Sequence, residues 1–145
     1  MTEVYFPENN NLIVIKNGAF VGCEKLIKVD LSHTALTCLE GGTFSCATGL
    51  QTIQLPDTVE TIENEAFYSC TSLTDINLPA NIKTIEYVAF FDCGELVNLI
   101  IPGSITRIQW KRETYENINS YFEGCNKLPS ETQERLRDLG YKWEF

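Results

Sequence analysis

The sequence predicts a β-rich solenoid, with a ladder of parallel strands on its concave face, short turns elsewhere and a C-terminal capping helix. Three observations predict it. Phenylalanines recur every 23 or 24 residues, at Phe20, Phe44, Phe67 and Phe90. The same apolar positions return behind each Phe, and a helical pattern follows where the repeats end. A period in the twenties with fixed apolar positions is typical of coils that bury one another's apolar faces.

The clearest repeat unit runs from Ala66 to Ile85. Within it, Ile76 and Leu78 are two residues apart and therefore point to the same side of a strand. Pro79 has no N–H to donate to a ladder, so it should end that strand. The apolar pair after the Pro predicts a second short extended segment, which leads into a tight turn that holds the next Phe inside.

The Phe spacing divides one predicted domain, 1–145, into coils. A chain of this length suffices for one domain with its own core. The predicted order is a partial repeat, three full repeats, a repeat with an insertion, and a terminal half-repeat with a helical cap. Their ranges are 1–18; 19–42, 43–65 and 66–88; 89–120; and 121–145.

The segment after the last repeat predicts a helix that caps the stack. We expect Ser130 to cap its N-terminus, with Gln133 answering three residues on, and Gly140 to stop it. Leu136 and Leu139 would lie on the last coil while charged side chains face water. A polar outer face at the terminal coil is what a solenoid needs.

The opposite end has no comparable cap. The chain enters directly on a strand, Val4 to Phe6, which would leave an open edge with unpaired ladder groups. Such edges invite pairing with another chain. We therefore expect a weak homodimer through the N-terminal edge, or an upstream segment that completes it.

Composition excludes several classes of function. The net charge is −9 and the isoelectric point is near 4.5, whereas phosphate binding needs clustered Lys and Arg, so nucleic acid is not an expected partner. No apolar run reaches about 18 residues, so no membrane insertion is expected. The first residues show no secretory signal. The acidic surface would tolerate a basic protein or a cation, although solubility is its commoner meaning.

Catalytic, metal and cofactor sites are not expected. There is no Cys-x-x-Cys, and His33 is the single histidine, so a zinc site has little support. His33 and Asp57 occupy neighbouring positions after the strands, but no nucleophile is indicated beside them. Glu40, Glu63 and Glu86 share one repeat position, where a cation or basic partner could relieve their repulsion. Hydrated carboxylates are the commoner interpretation of such a column.

The six cysteines are predicted to be reduced. Four share an inward position beneath the Phe, where a free Cys fills space well, and parallel side chains on adjacent coils are poorly aimed for a disulfide. Cys38 aligns instead with Thr61 and Thr84 on the outside, and is the expected reactive thiol. The four inward cysteines are Cys23, Cys70, Cys93 and Cys125.

The outward face of the strand ladder is the best candidate binding surface. Inward and outward positions alternate along a strand, and stacked strands lie about 4.8 Å apart, so the outward residues form two columns roughly 20 Å long. Solenoids bind extended partners on such faces. A hydrated sheet face without a ligand is the alternative. The outward residues are Glu3, Tyr5, Lys28, Asp30, Thr52, Gln54, Asp75, Asn77, Asn98 and Ile100.

An insertion between Gln109 and Ser120 interrupts the regular array. Insertions in repeat proteins map to loops, and loops often carry binding residues. Trp110, Arg112 and Tyr115 are of the types that dominate interface energies, so they join the candidate binding set. The alternative is that this loop folds over the final coil.

The repeat resembles the bacterial surface antigen (BspA-type) class of leucine-rich repeats, whose unit reads roughly Ala-Phe-x-x-Cys-x-x-Leu-x-x-Ile-x-Leu-Pro-x-x-Val-x-x-Ile. Residues 66–85 match it nearly position for position, and the resemblance covers about residues 4 to 128. Cys46 departs from it by one place, Ser32 replaces the Pro, and about nine extra residues precede Phe122. The resemblance implies a leucine-rich-repeat solenoid, cell-surface or secreted placement, adhesion or ligand binding, and no catalytic residues.

The resulting functional hypothesis is a macromolecule-binding or adhesion module that takes a protein or a glycan. The alternative is a structural spacer solenoid without its own ligand. A binding module should show a contiguous patch with aromatic residues on the ladder, whereas a spacer should be uniformly hydrated.

Overall fold

The computed structural model describes residues 1–8, 10–105 and 122–141. Short strands, turns and one helix form the described part, and none of its helices is long and apolar enough to cross a membrane. The elements are β1 (Glu3–Tyr5), β2 (Lys28–Asp30), β3 (Cys38–Leu39), β4 (Thr52–Gln54), β5 (Thr61–Ile62), β6 (Asp75–Asn77), β7 (Thr84–Ile85) and α1 (Ser130–Asp138).

Two parallel sheets run along the stack, in the orders β1-β2-β4-β6 and β3-β5-β7. Each strand of the first sheet pairs with the strand one repeat later, so Val4, Val29, Ile53 and Ile76 lie in register. A parallel bridge from Asp75 to Asn98 extends that ladder into the next coil. The predicted solenoid with a parallel ladder is therefore confirmed, and the second extended segments form a ladder of their own.

The recurring phenylalanines form a stack through the core. The rings of Phe44, Phe67, Phe90 and Phe122 are fully buried and nearly parallel to their neighbours, with centroids 5.1 to 5.8 Å apart. The backbone N–H of Phe44 donates to the Ala66 carbonyl oxygen at 2.9 Å, and the same bond recurs one coil on. Stacked aromatic pairs contribute about 0.5–1.5 kcal/mol each beyond their buried area, so this column ties each coil to the next.

Two left-handed residues flank each of the first four core phenylalanines, two positions before and two after it. This backbone region suits glycine and is strained for other residues, yet several side chains occupy it. It explains why Cys46 departs from the repeat: Cys46 takes the turn position, and the buried Ala47 takes the inward one. The residues two positions after the Phe are Gly22 (φ 65°), Cys46 (57°), Ser69 (52°) and Asp92 (58°), with Gly124 (83°) after Phe122.

The C-terminal helix caps the last coil, as predicted, but it begins differently. Ser130 is its first helical residue, Pro129 holds the cap position, and no side chain caps the N-terminus, so the predicted Ser130 cap is wrong. Gln133 donates to the Leu128 carbonyl oxygen through its side-chain amide at 2.8 Å. Gly140, at φ 99°, follows the end of the helix as expected.

Both apolar and polar side chains of α1 contact the last coil. Leu136 is fully buried in the core. Thr132 Oγ1 donates to the Leu99 carbonyl oxygen at 2.5 Å, and Arg135 Nη2 donates to the Ile105 carbonyl oxygen at 3.1 Å. The helix therefore donates hydrogen bonds to two backbone carbonyl oxygens of the last coil.

The first coil is less well covered than the others. Its core side chains Val4, Phe6, Leu12 and Phe20 are only partly buried, whereas their counterparts in the inner coils are buried. In the described part of the chain, β1 has a partner strand on one side only. The predicted open N-terminal edge is thus present among these residues.

Candidate binding surface

The outward residues of the first sheet form the ladder face, defined by the ten residues from Glu3 to Ile100 predicted above. Strand register lines up Glu3, Lys28, Thr52 and Asp75 in one column, and the bridge adds Asn98. The second column contains Tyr5, Asp30, Gln54 and Asn77, with Ile100 following at the same repeat spacing.

Exposure along the ladder face is uneven. Tyr5 is 76% exposed and Ile100 is 77% exposed, so a large apolar side chain stands in water at each end. Asp30 and Thr52 are half-buried, and the other polar members are exposed. The face therefore combines a hydrogen-bonding middle with two apolar contact points.

Side-chain hydrogen bonds already order part of this face. Asp30 accepts from the Ser32 hydroxyl at 2.6 Å and from the Ser32 N–H at 2.9 Å. The hydroxyl bond is the main reason that the pKa of Asp30 lies below its usual value, so this carboxylate stays ionised at neutral pH. Asn98 Nδ2 donates to Asp75 Oδ2 at 2.9 Å, which joins the last two members of the first column.

A groove of about 860 Å³, here named the cap groove, lies between the C-terminal end of the ladder face and α1. Four sequence-predicted residues, from both columns, line its ladder side. The helix forms the other side of the groove. The sequence analysis expected its charged side chains only to face water. The lining includes Asp75, Asn77, Asn98 and Ile100 from the ladder and Glu131, Glu134, Arg135 and Asp138 from α1.

The cap groove is acidic. Four carboxylates, from Asp75, Glu131, Glu134 and Asp138, face one guanidinium, so the lining is three charges negative. Two ion pairs of the described residues, Lys83–Glu60 and Lys127–Glu95, use other carboxylates. The helix carboxylates are spaced three and four residues apart, which puts them on one face of α1. That spacing could be recognised in the sequence, but the position of α1 opposite the ladder face could not.

The repeat that builds this surface matches a known family. A sequence profile of the BspA-type leucine-rich repeat region matches residues 1–128 in six copies. The chain belongs to the BspA-type leucine-rich repeat family. The resemblance that the sequence analysis drew from residues 66–85 is therefore confirmed.

Solved structures of bacterial leucine-rich repeat proteins share the fold of this BspA-type solenoid. One from T. pallidum is 26% identical, with a TM-score of 0.67, and the match covers 99% of this chain and 85% of that one. One from Bacteroides ovatus is 27% identical, with a TM-score of 0.73, and covers 100% of this chain and 36% of that one.

A third, from Eubacterium ventriosum, is 24% identical with a TM-score of 0.69 and supports the fold alone; it covers 86% of this chain and 30% of that one. The chain thus spans about a third of the length of the Bacteroides and Eubacterium proteins. Comparison with curated proteins finds no match.

Two glutamates of the column at Glu40, Glu63 and Glu86 accept hydrogen bonds from backbone N–H groups of turns. Glu63 Oε2 accepts from the Gly41 N–H at 2.9 Å, and Glu40 Oε2 accepts from the Asn17 N–H at 2.7 Å. The interpretation of this column as simply hydrated is therefore wrong for these two residues. They satisfy backbone donors in the preceding coil. The sequence could not show this contact, because it depends on how adjacent coils align. Among the described residues, no group of three His, Cys, Asp or Glu is placed to hold a metal ion.

The cysteines of this BspA-type domain are free, and three of them lie buried in the core. Their thiols donate to carbonyl oxygens of core phenylalanines in the preceding coil. Burial raises the pKa of Cys70 to about 12 and that of Cys93 well above its usual value. Cys23 is only half-buried. The bonds are Cys70 to Phe44 at 3.1 Å, Cys93 to Phe67 at 3.1 Å and Cys125 to Phe90 at 3.0 Å.

Cys38 was predicted to be the reactive thiol, and the structure corrects this. Its Sγ lies 3.3 Å from Glu63 Oε1 in a half-buried setting. Burial and then the Glu63 carboxylate raise the pKa of Cys38 to about 12, so almost no thiolate forms at neutral pH. Cys46, in its left-handed turn, is the exposed one.

Trp110, Arg112 and Tyr115, predicted as binding residues of the insertion, lie outside the described residues. Their role remains a prediction from sequence. His33 and Asp57, weighed above as a catalytic pair, are both exposed.

Proposed function

We propose that this BspA-type domain is a macromolecule-binding module that recognises a protein partner through the ladder face and the cap groove. The observation that supports it is the meeting of both ladder columns with α1 around a groove of about 860 Å³. Binding pockets have volumes of roughly 300–1,000 Å³, so the groove has room for several side chains of a partner.

The character of the ladder face favours a polypeptide partner. Its columns offer amide, hydroxyl and carboxylate groups at regular spacing, which suit the hydrogen-bonding groups of an extended chain. Tyr5 and Ile100 add apolar contact at the two ends, and tyrosine is among the residue types that most often carry binding energy at an interface.

Membership of the BspA-type family supports a location at the cell surface and a role in adhesion or capture. BspA-type proteins are commonly associated with the cell surface, which agrees with an adhesion or capture role in a surface or secreted protein. A structural spacer is the competing function, and it needs no ligand at all.

The test screens the purified domain against a panel of host matrix proteins and a glycan array. For any bound member, Tyr5→Ala and Ile100→Ala are compared with Thr61→Ala, a half-buried residue of the second sheet. We expect at least a tenfold loss of affinity in one of the ladder variants, corresponding to about 1.4 kcal/mol, and no change in the control.

A panel without a binder, or equal affinities for all variants with circular dichroism unchanged, would favour the spacer. Binding confined to the glycan array would replace the protein partner by a carbohydrate.

A further inference from the structure

The helix side of the cap groove presents its carboxylates at a useful spacing. Glu134 and Asp138 are four residues apart, which is about 6 Å along a helix axis. Same-side residues of an extended chain are about 6.6 Å apart. An extended segment running along α1 can therefore bring successive same-side side chains to successive carboxylates.

The ladder side of the groove adds apolar side chains and a hydrogen-bonded pair of polar ones. Ile100 is 77% exposed and Val97 is 36% exposed, and both line the groove. Asp75 and Asn98 stand beside them, linked at 2.9 Å. A side chain on the opposite face of an extended segment would meet this apolar patch while the first face meets the helix.

The charge of the groove selects among occupants. A second copy of this chain carries a net charge of −9, so it would bring like charge to a lining that is already three charges negative. Nucleic acid is excluded by the same repulsion. Arg135 cannot neutralise the groove fully, because it is one cation among four carboxylates and its Nη2 is held on the Ile105 carbonyl oxygen. The complementary occupant is cationic.

We propose that the cap groove receives an extended, basic polypeptide segment in which Lys or Arg alternates with apolar side chains. This inference rests on the proposed function, since it names the class of partner for one end of the same surface. The basic side chains pair with Glu131, Glu134 and Asp138, and an apolar side chain packs on Ile100. Affinity then depends on ionic strength, because the pairs are exposed and salt screens them.

The experiment uses the 145-residue chain and three fluorescent peptides in anisotropy titrations at two salt concentrations. The probe is Lys-Leu-Lys-Val-Lys-Leu-Lys; one comparison peptide has Glu for every Lys, and the other has the same residues with the lysines in one block. We expect the probe to bind at least tenfold more tightly than either comparison peptide, with affinity falling as salt rises.

A pair of charge-matched triple variants locates the binding. One combines Glu131→Gln, Glu134→Gln and Asp138→Asn in the groove. The other combines changes at exposed carboxylates elsewhere on the surface, and both remove three negative charges. We expect at least a tenfold loss in the first and less than a twofold loss in the second. The control changes are Glu8→Gln, Glu24→Gln and Asp57→Asn.

Two single variants on the ladder, outside α1, keep the test independent of helix stability. Asp75→Asn should weaken the probe, and Ile100→Ser should weaken it more than Ile13→Ser, another strongly exposed isoleucine. Equal losses in both triple variants, or equal affinity for the blocked peptide, would overturn the inference, because cationic peptides would then bind the acidic surface at large.

Failure of this inference is distinguishable from failure of the proposed function. A protein partner that loses affinity with Tyr5→Ala and Ile100→Ala, but is indifferent to salt and to the groove triple variant, would overturn the basic segment alone. A partner indifferent to the ladder variants would overturn the proposed function.

Discussion

Left-handed residues on both sides of each of the first four core phenylalanines let a coil of about 23 residues close around its aromatic ring. Glycine fills this role without strain at Gly18, Gly22 and Gly42. At the other positions a residue with a side chain adopts the left-handed conformation. One of them is the β-branched Val88, at φ 45°. For an L-residue this conformation costs about 1–2 kcal/mol. The folded protein is therefore less stable than it would be with glycine at these turn positions.

Cys46→Gly should therefore be neutral or stabilise the protein by up to about 1 kcal/mol, since relief of strain outweighs the extra freedom of the unfolded chain. Ala47→Gly, at the adjacent buried position, should instead destabilise it by about 1 kcal/mol. Urea unfolding of both variants measures this difference. A comparable loss of stability in the two would contradict the assignment of the turn.

Thiol reactivity is expected to follow environment rather than the inward or outward side of the coil. Under native conditions Cys46 should react first with a thiol reagent, Cys38 slowly, and the buried Cys70 only on unfolding. In a Cys46→Ser background, Glu63→Gln should speed the labelling of Cys38, because the neutral amide no longer raises its pKa. An unchanged labelling rate would show that burial alone protects this thiol.

The strands were more predictable from the sequence than the contacts of the helix. The two-residue spacing of Ile76 and Leu78 marks an inward face directly, because side chains in a strand alternate. Thr132 gave no such signal, since its partner Leu99 is 33 residues away and is reached only when α1 lies across the last coil. Ser130 misled because it fits the capping pattern but lies inside the helix, one residue beyond Pro129.

Thr132→Val tests whether the helix is held by its bond to the ladder. Valine keeps the shape but leaves the buried Leu99 carbonyl oxygen without this donor, which should cost about 1–3 kcal/mol. Thr132→Ser keeps the hydroxyl and should cost less. Thermal unfolding of the two variants compares them, and equal melting temperatures would show that the bond contributes little.

The two ends of the stack differ in how well they are covered. The last coil is covered by α1, whereas six of the eight strongly exposed large apolar residues found among the described residues lie in the first 27. Tyr5, Met1 and Ile13 are the most exposed of those six. Repetition made this architecture predictable, because the four repeats that begin at residues 19, 43, 66 and 89 carry the same pattern. The cap groove was not predictable, because it arises where the repetition stops.

Self-association through the N-terminal edge is the corresponding prediction. Light scattering over a range of concentrations should show a rise in mass, and Tyr5→Lys should abolish it, because a lysine on an edge strand opposes pairing. Gln54→Lys places the same charge in the same column on an inner strand and should leave association unchanged. A clean monomer at high concentration would contradict the prediction.

We propose that partners bind where the ladder face meets the C-terminal helix. Backbone amide NMR shifts, measured while the Lys-Leu-Lys-Val-Lys-Leu-Lys peptide is added to the intact chain, locate the residues that the peptide contacts. We expect the shifts to concentrate at residues 75–77 and 97–101 and along α1, the segments whose residues line the cap groove. Shifts spread evenly over the acidic surface, or concentrated on the second sheet at Thr61 and Thr84, would contradict it.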